Sequence, residues 1–206
     1  MWIVKLGGSL WRSTRLPEWL SAIAAHGAGR LVIVPGGGPF ADTVREVQAA
    51  VALADPIAHR MALLGMCQYG LMLCGLGQGL VPARNESEIR QVLADGQVPV
   101  WLPLELLELL DEQKAVPEDW TLTADSLAAF LTARLGAEHL LLVKSVDPPA
   151  PTALASQLAR EGIVDRALPD FLADARFKTW WLGPTDARQL PELLAGEEGS
   201  AARILP

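Results

Sequence analysis

The chain has 206 residues, half of them hydrophobic and a fifth charged, and carries a net charge of −7. A length of this order buries a large core, and the composition excludes a disordered chain, so a single domain over 1–206 is expected. The acidic balance, 24 Asp and Glu against 17 Lys and Arg, excludes nucleic acid as the main partner, because such binding rests on Lys and Arg neutralising phosphates.

The chain opens on Met1-Trp2-Ile3-Val4-Lys5, a strand pattern without the basic region and long apolar core of a signal peptide. A cytoplasmic protein is therefore expected. This strand runs into Leu6-Gly7-Gly8-Ser9. Glycines let backbone N–H groups approach phosphate oxygens without a Cβ in the way, and Lys5 adds a point charge to the same oxygens. An ordinary strand-to-helix turn is the alternative for this segment alone.

A helix is expected over 16–25, then a buried strand over 31–35 that ends in Pro35-Gly36-Gly37-Gly38-Pro39. Three glycines between an apolar strand and a helix over 40–53 make a second anion site at the positive end of a helix dipole. Two such loops on consecutive strands imply two phosphate-bearing ligands face to face.

The next helix is expected over 57–76. The stretch from Met61 to Ala83 carries no formal charge and is long enough to span a bilayer. Its glycines, Gln68, Gln78 and Pro82 point instead to a buried or subunit-interface helix followed by a turn into a strand, with no membrane span. Cys67 and Cys74 lie on this helix and read as reduced thiols without a metal set. His59 reads as a packed or capping histidine more readily than as a base.

A helix over 86–94 and a strand over 98–102 follow. Beyond them, Trp120-Thr121-Leu122-Thr123-Ala124-Asp125-Ser126 leads into a helix over 126–135 and a strand over 140–143. Thr123 and Asp125 suit a helix N-cap, while Asp125 beside a strand end also suits holding lysines by charge and hydrogen bonding. Lysine occurs only as Lys5, Lys114, Lys144 and Lys178. Lys5 and Lys144 fall at the carboxyl ends of expected core strands, where an unpaired charge is costly. The Pro-rich segment 147–151 reads as a surface loop. Helices over 153–160 and 187–194, a strand over 179–182 and a turn-rich tail at 196–200 complete the pattern. Strands alternating with helices imply an α/β, three-layer αβα sandwich with a mostly parallel central sheet, whose ligands bind at the carboxyl ends of the strands.

The order Lys5-Leu-Gly-Gly-Ser9, Pro35-Gly-Gly-Gly38, Thr123-Ala-Asp125 and Leu141-Leu-Val-Lys144-Ser-Val-Asp147 resembles the amino acid kinase family. The resemblance implies an ATP-dependent phosphotransferase using Mg2+, with a homo-oligomer as its assembly. By resemblance, Lys5 and Asp125 are catalytic, and Gly7, Gly8, Ser9, Lys144 and Asp147 hold ATP and its phosphates. Gly36, Gly37 and Gly38 face the acceptor, and no side chain is assigned to metal. Residues 58–62, 102–107 and 119–123 resemble a short branch of the family that phosphorylates a furan-bearing phosphate in methanofuran synthesis. Where relatives carry Gly-Met-x-x-Lys, this chain has Gly162-Ile163-Val164-Asp165-Arg166, so a second phosphate cation is sought among Lys144, Arg166 and Lys178. A kinase for another small phosphate or carboxylate, or a non-catalytic nucleotide- or oxyanion-storage protein, stays open.

Overall fold

The computed structural model describes residues 1–106, 117–197, 199 and 201–206. Leu107 and Lys114 lie outside the described residues, as do two positions of the 196–200 tail.

Strand β1 (Trp2–Leu6) is followed by a 3-10 turn (Gly8–Arg12), helix α1 (Leu16–His26), strand β2 (Leu31–Pro35), and helices α2 (Gly38–Val51) and α3 (Asp55–Leu76). Then come β3 (Leu80–Ala83), α4 (Glu86–Ala94), β4 (Val98–Trp101), α5 (Ala124–Leu135) and β5 (His139–Val143). The last third holds β6 (Thr152–Leu154), α6 (Ala155–Arg160), α7 (Leu168–Ala173), β7 (Lys178–Leu182), α8 (Leu190–Leu194) and β8 (Ala202–Leu205).

The strands form one sheet in the order β3-β4-β2-β1-β5-β7-β8-β6, with every adjacent pair parallel except β7 with β8. Both faces are covered, which is why β1, β2 and β4 are buried at every position rather than alternately. Trp2, Val4 and Leu6 join the core beneath α1 and α8, together with the fully buried Trp19. Ile3 faces the opposite core, built with Ala128, Leu131 and Leu135 of α5. Successive side chains of a strand point to opposite faces. Lys5 therefore shares the side of Ile3, and Lys144, two residues beyond Leu142, shares it as well. Both ammonium stems thus emerge toward α5. The expected three-layer architecture is the one observed.

Several boundaries differ from expectation for physical reasons. The helix expected over 153–160 starts only at Ala155, because Thr152–Leu154 pair in parallel with Arg203–Leu205. The helix expected over 187–194 is divided into a 3-10 turn (Asp186–Gln189) and α8. Pro191 has no N–H with which to continue a longer helix from the preceding turn. Helix α7, with a proline in its first turn, and strand β8 are short elements that exist through tertiary pairing. The uncharged stretch after Met61 forms most of α3, turns at Gly77 and enters β3. No helix among the described residues is long and apolar enough to cross a membrane.

Strand order reverses about β1, which is flanked by β2 on one side and β5 on the other. Loops leaving neighbouring strands there diverge to opposite sides, opening a crevice at their carboxyl ends.

Candidate active site

The two glycine loops meet in that crevice. A Cβ on Gly36 would lie 2.3 Å from the backbone nitrogen of Gly8, and one on Gly8 would lie 2.4 Å from the nitrogen of Gly38. Backbone rests directly on backbone, so no side chain fits at either position. Replacing Gly36 by Ala is expected to force the loops apart, lowering stability by about 1–3 kcal/mol and abolishing turnover. Urea unfolding alongside an activity assay checks both.

The glycines divide the work. The Gly7 N–H donates to the Val143 carbonyl at 3.1 Å and the Gly36 N–H to the Leu6 carbonyl at 2.9 Å, so these two extend the sheet rather than offering donors to a ligand. The residues after them open helices: Gly8 and Ser9 begin the 3-10 turn, and Gly38 begins α2. The leading N–H groups of a helix have no acceptor within it, so each loop ends in outward-facing donors at a positive dipole end. Beneath both loops lies Tyr69 of α3, whose hydroxyl is 3.5 Å from the Gly7 carbonyl and whose ring limits the space at Gly38.

Asp125 is the electrostatic centre. It is only 3% exposed, and its two oxygens bind the two lysines separately: Lys5 Nζ to Oδ1 at 2.8 Å and Lys144 Nζ to Oδ2 at 2.7 Å. Burial alone raises a carboxyl pKa, but here Lys5 and Lys144 outweigh it and hold Asp125 well below the usual range. Lys144 is pushed down by desolvation and by the nearby Lys5, against the pull of Asp125. Two cations on one carboxylate leave the cluster with net positive charge, which suits a polyanion.

Asp125 does not cap its own helix. Thr123 occupies the N-cap position of α5 without a side-chain capping bond, and the cap comes from Asp165. That carboxylate accepts from the Thr123 N–H and hydroxyl, each at 3.0 Å, from the Ser126 N–H at 2.9 Å, from the Ser126 hydroxyl, and from the Leu168 N–H at 3.1 Å. Burial and the neighbouring Asp125 raise its pKa. Asp165 thereby fixes the first turn of α5, and with it the rotamer that delivers Asp125 to the lysines. The residue stood within the Gly162–Arg166 stretch, yet no local signal ties it to a helix some forty positions earlier.

Two cavities share this centre. The larger, about 1170 Å3, is walled by Lys5, Asp125, Lys144, Arg160, Asp165 and Arg166 among others. The smaller, about 220 Å3, is bounded by Lys5, Gly8, Ser9 and Gly36 to Gly38 at one end. Lys5 borders both, so its ammonium stands at their junction. Arg160 and Arg166 are exposed and add positive charge to the larger cavity. Lys178 opens β7, paired in register with His139, the first residue of β5. It therefore stands at the amino edge of the sheet, away from the cavities. Asp147 is exposed and sits against Gly183 at the end of β7, and it is not among the residues lining either cavity. His59 is buried on α3 with its Nδ1 lacking a partner among the described residues. Desolvation lowers its pKa, against the pull of Glu118 and Asp119. Among the described residues, no three His, Cys, Asp or Glu side chains gather to hold a metal ion. The central carboxylates are committed to lysines and to the α5 terminus, so the residues present do not build a metal cage.

Residues 1–148 match the amino acid kinase family. The [5-(aminomethyl)furan-3-yl]methyl phosphate kinase of Methanocaldococcus jannaschii is 26% identical over 148 residues, 71% of this chain and 67% of that protein. Among solved structures, the uridylate kinase of Archaeoglobus fulgidus superposes with a TM-score of 0.73 at 14% identity, covering 98% of this chain and 99% of that one. The isopentenyl phosphate kinase of T. acidophilum, solved as a product complex, gives 0.62 at 13% identity, covering 99% of each chain. The chain belongs to the amino acid kinase family and is a small-molecule kinase.

Proposed function

We propose that the protein transfers the terminal phosphoryl group of ATP to [5-(aminomethyl)furan-3-yl]methyl phosphate. The observation that carries the reading is the position of Lys5, buried on Asp125 and bordering both the larger cavity, whose cations Lys144, Arg160 and Arg166 share it with Asp55, Asp119 and Asp165, and the smaller, glycine-lined one. ATP occupies the larger cavity, with its phosphates against Lys144, Arg160 and Arg166 and its terminal phosphate at the Lys5 junction, beside the Gly8-Ser9 turn of the smaller cavity. The acceptor phosphate rests on the Gly37-Gly38 end of the smaller one. The choice of acceptor is supported by the likeness to the Methanocaldococcus jannaschii kinase.

Phosphoryl transfer asks for alignment and charge neutralisation rather than a covalent catalyst. An oxygen of the acceptor phosphate forms a bond to the terminal phosphorus of ATP as the bond to the β–γ bridging oxygen breaks. ADP departs with that electron pair, and the product is a diphosphate ester. Lys5 stands at the junction the moving group crosses, its ammonium held in place by Asp125. Magnesium would ride on the nucleotide phosphates, since the described residues build no cage for it, and would supply counter-charge there.

The reading includes a cytoplasmic setting and a homo-oligomer. The first is supported by free Cys67 and Cys74, whose thiols burial pushes up to about 12 and about 11. The second is supported by Ile57, Leu64 and Leu71, exposed at seven-residue intervals along one stripe of α3.

ADP release by the purified protein tests the activity, with the furan phosphate, UMP, isopentenyl phosphate and acetylglutamate compared as acceptors. The highest kcat/KM is expected for the furan phosphate, and faster turnover of any other acceptor overturns the assignment.

A further inference from the structure

The transfer chemistry makes no use of Trp120, although this indole borders both cavities. Its Nε1 donates to Gln48 Oε1 at 2.6 Å, and the Arg45 guanidinium lies 4.3 Å from a ring centroid. Gln48 is itself anchored, donating to the Leu53 carbonyl at 3.2 Å and to Asp55 at 2.6 Å. Arg45 is paired with Asp42 at 3.0 Å. The indole is thus held at its polar edge and over a ring face, which orients the ring beside the smaller cavity.

Beside the glycines and Lys5, that cavity is lined by Ala62, Leu63, Met66, Leu122 and Leu127, all buried, and by the polar Asp42, Arg45, His59 and Thr123. Sugar hydroxyls placed against those five side chains would lose their hydration, with His59, on the helix that carries Ala62, Leu63 and Met66, a polar group in the same wall. At about 220 Å3 the cavity lies below the ~300–1,000 Å3 of pockets that take drug-sized ligands, which favours a molecule with one ring over a nucleotide. A flat, unsaturated ring meets all three conditions: it is compact, tolerates the apolar wall and stacks on an indole.

Accepting the kinase reading above, we propose that Trp120 is the specificity residue that stacks the ring of the acceptor, and that the site selects phosphate monoesters bearing a single aromatic ring.

The test uses Trp120→Leu and Trp120→Phe in the full chain. The probes are the aminomethylfuran phosphate, benzyl phosphate, n-butyl phosphate and UMP. Calorimetry without ATP gives Kd, and ADP release gives KM and kcat. The wild-type protein is expected to bind the two ring esters more tightly than n-butyl phosphate and UMP. W120L is expected to weaken the ring esters about tenfold in Kd and KM, the scale of base–aromatic stacking. The same variant should leave the Kd of n-butyl phosphate within about twofold, and W120F should recover most of the ring affinity. Equal loss across ring and acyclic esters, no recovery in W120F, a change confined to kcat, or tighter wild-type binding of UMP would each overturn the proposal. Because wild-type ring preference is read in binding alone, it stands even where a variant folds poorly. Absence of ADP release with every acceptor would instead sink the kinase reading.

Discussion

Replacing Lys5 by Met is expected to lower kcat at least about 100-fold while leaving the chain folded. Methionine keeps much of the aliphatic stem in the sheet and removes only the charge. Lys5 borders both cavities and is 6% exposed, so its ammonium acts where water screens little. Loss of one preorganised charge-stabilising donor from such a site costs about 10²–10³ in rate. The fold tolerates the change because Asp125 keeps its second partner, Lys144, at 2.7 Å. Steady-state ADP release beside a thermal melt makes the measurement. A kcat within threefold of wild type removes Lys5 from the transfer step.

The second large effect is on stability. Asp125→Asn leaves Lys5 and Lys144 facing each other with no counter-charge in a buried setting, and breaking a buried pair of this kind costs about 3–5 kcal/mol. Urea denaturation at neutral pH should show that loss. The pH dependence supplies a sign. The lysines hold the Asp125 carboxyl below its ordinary value, so the folded state binds its proton less readily than the unfolded state does. The carboxylate therefore contributes stability above the ordinary aspartate pKa of about 4, and that contribution is lost as pH falls toward the folded value. Between pH 5 and about pH 2 the wild-type protein should lose stability more steeply than the Asn variant. Parallel curves would show that the triad carries no net charge stabilisation.

Much of the site was legible residue by residue. Lys5 and the Gly-Gly-Ser turn and the triple glycine after β2 were readable, because each depends on chemistry within a few residues of chain, while the pairing of Asp125 with strand-end lysines was expected from the cost of an unpaired buried charge and from the family resemblance. The division of labour among glycines was not readable. Gly7 and Gly36 look like their neighbours in sequence, and only the ladder bonds to Val143 and Leu6 assign their N–H groups to the sheet. Asp147 shows the converse, since the resemblance of segment 141–147 to the family placed it at the nucleotide while the fold lays it against Gly183. Trp120 drew notice as part of a motif, but its role as a wall between cavities depends on Arg45 and Gln48 of α2.

By itself, the order of residues determined the strands that are apolar on both faces, the long helix that is uncharged from Met61 onward and the two glycine turns. Hydrophobic periodicity and backbone sterics act over one or two turns of chain and need no distant partner. Tertiary structure alone decided that Asp165 caps α5 at Thr123 and that Thr152–Leu154 pair with Arg203–Leu205. A hydrogen bond or ion pair is selected by distance in space, and between residues forty or more positions apart that distance exists only once the sheet has assembled.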